Sequence, residues 1–286
     1  MRKTTLTLLT AASAAALVAT TAPAFAAHEE LVVTGLTQND KLVTFVAGTG
    51  ERLSQVKITG IAEGQRLAGI DYRPATGGLY GLAVTGAAGF LYLIDDETGA
   101  AKAVGATGVP VSGAVSIDVN PTVDLVRVVS AANDNLRINP NTGARADGPT
   151  NNDGRLAYTD GALSDPDVVG AAYINNDNDP ATGTVLYDVD GAHDTLVKQA
   201  PANAGSLQRV GTGLGIDVDA ATGFDVYSEL DSAGVTRNIA LLSTRTADGT
   251  LVYTVNLATG RVNKTATSGV RAQGAPVVDI AVDPRQ

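Results

Sequence analysis

Beyond residue 30 the chain alternates apolar and polar residues over short runs, with Gly, Asn, Asp and Thr punctuating them about every ten residues. Period-two alternation predicts half-buried strands, and the helical period is nearly absent. Thr-Gly recurs at the breaks, as Thr76-Gly77, Thr98-Gly99, Thr142-Gly143, Thr182-Gly183, Thr222-Gly223 and Thr259-Gly260. Gly reaches positive φ without a Cβ clash, so these dipeptides are expected at tight hairpin turns. The pattern is that of an all-β protein.

A longer period lies above the hairpins. Gly69-Ile70-Asp71-Tyr72 returns as Ser116-Ile117-Asp118-Val119, Gly170-Ala171-Ala172-Tyr173, Gly223-Phe224-Asp225-Val226 and Asp279-Ile280-Ala281-Val282. At the second residue the steps are 47, 54, 53 and 56 residues. Each step has room for about four strands, the size of one β-propeller blade.

In the first unit, Ile70 to Arg73 is followed by Gly78–Leu82, Phe90–Ile94 and an outer strand around Ala103. The second offers Asp124–Ser130, Asn135–Ile138 and a weaker strand near Ala144. The third offers Val185–Asp188 and Thr195–Val197, and the fourth Asn238–Ser243, Leu251–Asn256 and Arg261–Thr267. The last copy, Val277 to Val282, has no strands after it. Three strands near the start, Leu31–Gly35, Lys41–Val46 and Leu53–Thr59, have none before them. Pairing these ends completes a fifth blade and removes the open sheet edges that invite aggregation. Val278, Ile280 and Val282 are expected to be its buried positions. Gly215-Ile216-Asp217-Val218 also fits the inner-strand pattern, and would make six blades.

Three stretches carry a family resemblance: Gly69 to Leu82, Asp118 to Asp124 and Asn135 to Gly143. They resemble a family of bacterial exported proteins, domain of unknown function 4394. The resemblance runs through nearly all of the chain after residue 26. It implies an exported, propeller-like domain and carries over no catalytic residue.

The first residues change the picture of where the chain works. Arg2 and Lys3 precede a short Ala- and Leu-rich stretch from Leu6 to Thr20, and Ala24-Phe25-Ala26 matches a signal-peptidase site. Residues 1–26 are therefore expected to be a signal peptide, and 27–286 one propeller-like domain secreted to the periplasm or medium. The stretch is shorter than the roughly 20 residues of a membrane-spanning helix, and none is expected later. The chain has no Cys, which excludes disulfides, thiolate metal sites and a lipid-anchored Cys. Loss of Arg2 and Lys3 leaves 18 basic against 30 acidic residues, a net charge of −12. Such a field disfavours nucleic acid and anionic lipid as partners.

Candidate chemistry is sparse. Asp71, Asp118 and Asp225 recur on the inner strands, with Ala172 and Ala281 at the equivalent places. Five-bladed propellers include glycoside hydrolases, and such enzymes use paired carboxylates. A catalytic group is needed once rather than in blade after blade, so these Asp are read instead as acceptors for backbone N–H groups of neighbouring turns. Glu229 is the one Glu at the end of an expected inner strand, and there is no Trp to stack on a sugar. His193 is expected exposed in the turn Asp190 to Asp194; one internal His makes no His-rich zinc site. A catalytic triad would need it with Asp194 or a distant acid. Asn175 to Pro180 is dense in oxygen ligands, so a stabilising Ca²⁺ near Asp177 and Asp179 stays open, although the calcium-loop spacing is missing.

No catalytic, metal or cofactor-binding residue is assigned on these grounds. Three functional readings follow: an exported binding or scaffold propeller facing a cell-wall component, a protein or a small ligand; a carbohydrate-active hydrolase; and a structural envelope or matrix protein.

Overall fold

The computed structural model describes residues 31–146, 153–159, 161, 163–246, 249–263 and 275–286. The expected signal peptide and the expected strand beyond Asn263 lie outside the described residues.

Near the start, β1 (Val32–Thr37), β2 (Lys41–Val46) and β3 (Arg52–Lys57) form an antiparallel meander. Its free side is taken by the chain's last strand, β20 (Val277–Ala281), with Gly35 opposite Ile280 and Thr34 opposite Ala281. Between these ends lie four more sheets. The first blade holds β4 (Arg66–Arg73), β5 (Gly78–Thr85), β6 (Ala88–Ile94) and β7 (Ala101–Ala103), with β8 (Val109–Pro110) added to β6. The second holds β9 (Val115–Asn120), β10 (Leu125–Ser130) and β11 (Asn135–Ile138). The third runs β13 (Val168–Tyr173), β14 (Leu186–Asp190), β15 (Thr195–Gln199), β16 (Ser206–Arg209), then β12 (Ala157–Tyr158) parallel to β16. The fourth holds β17 (Gly223–Asp231), β18 (Gly234–Thr246) and β19 (Gly249–Val255).

The five sheets stand in a ring, a five-bladed β-propeller closed by its two ends. Gly215 to Val218 lies in no strand, so the sixth blade is absent. The expected outer strand near Ala144 is only an isolated bridge from Ile138 to Arg145. Among the described residues, no helix is long and apolar enough to cross a membrane.

The apolar core is divided into five slabs, one per seam between blades. Leu36, Leu42 and Ile58 of the fifth blade pack on Leu67, Ile70 and Tyr72 of the first. Tyr80, Leu82 and Leu91 meet Ile117, Val126 and Leu136 across the next seam. Val129 meets Ala171, Tyr173 and Leu186; Ala172 and Leu196 meet Phe224 and Leu242. Ile239 and Leu241 close the circle against Phe45, Val277 and Ile280.

Two expectations of local structure fail. Thr222-Gly223 is not a turn, because Gly223 opens β17. A Cβ there would lie 2.6 Å from the backbone N of Ile280, so glycine is needed for strand approach rather than for positive φ. At the closing strand it is Val277, not Val278, that is buried alongside Ile280 and, just past β20, Val282, since Val278 reaches a cavity at the ring's mouth.

Closure by β20 supplies a testable dependence. Burial of Val277, Ile280 and Val282 contributes on the order of 1.5–3 kcal/mol each. Together they approach the ~5–15 kcal/mol that holds a whole domain. Deleting residues 276–286 is expected to give an unfolded or aggregating chain, read by circular dichroism and gel filtration. A truncated protein that is monomeric and melts like the full chain would contradict the closed ring.

Candidate functional site

Each inner strand is an edge strand of its own sheet, bonded to one neighbour and facing the ring axis on its other side. Its axis-facing N–H groups are buried and lack a ladder partner, so they require other acceptors. Asp71 Oδ2 accepts the N–H of Val119 on the next blade at 2.7 Å. Asp118 Oδ1 accepts that of Tyr173 at 3.2 Å, and Asp225 Oδ2 that of Val282 at 2.6 Å. The expected role as backbone acceptors holds, but the donors belong to the neighbouring inner strand and not to a turn.

A second tier sits two residues earlier. Asp279 Oδ2 accepts the N–H of Ile70 at 2.8 Å, and Ser116 Oγ that of Ala171 at 3.0 Å. Four of the five seams are thus bridged by side chains at the axis. At the seam after Ala172, asparagines at the far end of β13 take over. Asn176 donates its backbone N–H to Ser228 and its amide to the carbonyl of Val226, and Asn175 accepts from Asn238.

Asp71, Asp118, Asp225 and Asp279 are only 6%, 4%, 4% and 3% exposed. One carboxylate oxygen from each of the first three lies within 4.8 Å of the others, the grouping among the described residues that is compact enough for one metal ion. Burial pushes the carboxyls of Asp71, Asp118 and Asp279 well above the usual range, and repulsion among the four adds to it. Asp225 is pushed up to about 7 by burial, against the N–H groups of Val282 and Val226 that favour its charge. Like charges at this spacing cannot all ionise, so the cluster shares protons.

At the opposite end of β4, Arg73 ties the first blade to the second. It forms an ion pair with Asp124, its Nε donating to Oδ1 at 2.7 Å, and Nη1 donates to Asn141 at 2.9 Å. Arg73, Asp124 and Asn141 come from the three stretches that carried the family resemblance, so those stretches meet at one seam. The model of the family described as "Domain of unknown function (DUF4394)" matches residues 41–281. The chain belongs to this family.

Comparison of the DUF4394 chain with solved structures finds similar folds at low identity. A chain of "Crystal structure of Nidogen/Laminin Complex" is 10% identical, with a TM-score of 0.49, 88% of this chain covered and 98% of that one. A structural genomics protein of unknown function from Bacteroides thetaiotaomicron is 14% identical, with a TM-score of 0.43 and coverage of 90% and 65%. "Structure of Dos1 propeller" is 14% identical, with a TM-score of 0.41 and coverage of 82% and 62%. The chain thus spans less than two thirds of the last two. No curated protein matches it.

Other residues of interest fall apart from the axis. His193 is partly buried rather than exposed: its Nδ1 lies 2.8 Å from Asp190 Oδ2, and its ring stands edge-on to Tyr158 at 5.8 Å. Asp194 is spent on the N–H of Val218, so no triad forms with it. Glu229 pairs with Arg237 across the β17–β18 hairpin. Asp177 accepts the Thr182 hydroxyl and the N–H of Asp179, and Asp179 accepts that of Ala181, so both work as turn acceptors.

Two features of the DUF4394 chain escaped the sequence reading. Fully buried Arg127 donates to Tyr173, Asn135, Asp153 and Asn203 between the second and third blades. Nearby Asp188 is buried with neither oxygen hydrogen-bonded, and burial raises its pKa well above normal despite Arg127. An Arg inside Val126-Arg127-Val128-Val129 was the available signal. The other feature is a cavity of about 440 Å³ where the inner strands enter the ring, reached by Gln38, Arg66, Asp219 and Arg245.

The axial carboxyls make stability fall as pH rises. An unfolded Asp titrates at about 3.9, whereas the folded cluster holds its protons to higher pH. Between those values the folded state binds more protons, so its advantage is complete below the unfolded pKa. For Asp225 it is lost as pH passes about 7. The urea midpoint is expected to be higher at about pH 5 than at about pH 8, with Asp225→Asn flattening the difference. A pH-independent midpoint would contradict the shared-proton cluster. Asp71→Ala is expected to cost about 1–3 kcal/mol, because it strands the buried N–H of Val119; equilibrium unfolding measures it.

Proposed function

We propose that this chain is an exported, non-catalytic binding propeller that presents a loop face of the ring to a cell-wall component, a protein or a small ligand. One observation carries the reading. The recurring inner-strand carboxylates are buried and committed to backbone N–H groups of the next blade, while at the ring's mouth the Arg66 guanidinium and the Gln38 amide have no partner among the described residues. Glycoside hydrolysis needs two carboxyl groups flanking a substrate, about 5–10 Å apart and open to it. Asp71, Asp118 and Asp225 are closer together than that and closed to solvent. The mouth is the kind of concavity in which small-molecule sites occur.

Two measurements test the proposal. Mature protein immobilised on resin is expected to retain a wall glycan or a culture-supernatant protein, and to release no reducing sugar from wall glycans. Glycan hydrolysis that disappears in Asp118→Asn at unchanged melting temperature would favour the hydrolase. Export is read by intact mass: protein from the culture medium is expected to begin at Ala27 or His28. Protein retaining Arg2 and Lys3 would refute signal cleavage.

A further inference from the structure

The mouth cavity has an uneven supply of charge. Arg66, at the first position of β4, is exposed, and among the described residues its guanidinium makes no hydrogen bond or ion pair. Among the described residues the side-chain amide of Gln38 has no partner either. Arg245, near the end of β18, gives Nη2 to Asp219 Oδ2 at 2.7 Å, and Asp219 Oδ1 accepts the N–H of Ala221 at 2.8 Å. Among the described residues lining the cavity there are thus two guanidiniums and one carboxylate, a local surplus of one positive charge on a chain whose net charge is −10. Ala68, Ala114 and Ala221 leave the space between these groups open, and no aromatic side chain among the described residues lines it.

We propose that this cavity binds a small polyhydroxylated monocarboxylate of the sugar-acid class. The inference rests on the binding reading and names the ligand of its mouth site. The planar fork of Arg66 matches a carboxylate with two parallel N–H donors, the strong form of this hydrogen bond. Gln38 offers both a donor and an acceptor to hydroxyl groups, and the free Arg245 donors serve the ring oxygens. Asp219 and the negative field of the molecule disfavour a dianion, which selects carboxylate over phosphate. The polar walls select hydroxyl-bearing acids over apolar ones, and the volume falls in the range of small-molecule sites.

Isothermal titration of the mature protein with glucuronate, glucuronamide, glucose and glucose 6-phosphate tests the inference. Glucuronate is expected to bind, with affinity falling as salt is added, and the other three about tenfold or more weaker. Arg66→Gln is expected to weaken glucuronate about tenfold at unchanged melting temperature, since the side chain is exposed. Absence of glucuronate binding at millimolar concentrations overturns the inference, as does equal binding of glucuronamide or full affinity in Arg66→Gln. Retention of a wall polymer by a protein that ignores glucuronate would leave the binding reading standing and remove this one. Glucuronate binding that Arg66→Gln abolishes, without retention of any wall polymer or protein, would confirm the site and remove the larger partner.

Discussion

The ring depends on what becomes of the backbone at its axis. Five edge strands turn their unpaired N–H groups inward, where they are buried and the inner strands do not pair with one another. A short acceptor side chain reaching from one blade to the next resolves this, and Asp suits it because an ionised carboxylate only accepts. The same arrangement gathers four carboxyls in a buried space, so hydrogen-bond satisfaction and charge repulsion pull in opposite directions. Proton sharing is the compromise. The seam after Ala172 adds no further carboxyl to the axis and is joined instead by neutral asparagines.

Away from the axis the blades adhere through apolar slabs, where a polar insert is costly unless its groups are bonded. The seam between the second and third blades shows the rule and its margin. Arg127 donates to four partners, whereas Asp188 beside it has neither oxygen hydrogen-bonded, and burial raises its pKa well above normal.

Much of the architecture was legible in the sequence because blade repetition stamps the same short alternation on the chain at nearly even steps. Strands rich in Val, Leu and Ile were found, whereas β16, Ser206–Arg209, has a single buried apolar residue and so gives no alternation. Asp71, Asp118 and Asp225 were visible as a series; Asp279 was not, because it serves the axis from one tier away. The grouping at the mouth was illegible for another reason. Gln38, Arg66, Asp219 and Arg245 lie in segments far apart in sequence, and only ring closure brings them together.

That closure also orders events in time. The ladder between β1 and β20, with Gln286 bonded to Val32 across 254 residues, joins almost the whole span of the chain. Hairpins within a blade form from neighbours, but this pairing bears the largest loop-closure entropy in the molecule. Four blades are available before the final strand emerges from synthesis, and the fifth has none of its innermost edge until then. A growing chain is therefore an open arc whose end seams expose their apolar slabs, and it becomes a sealed ring only when β20 arrives.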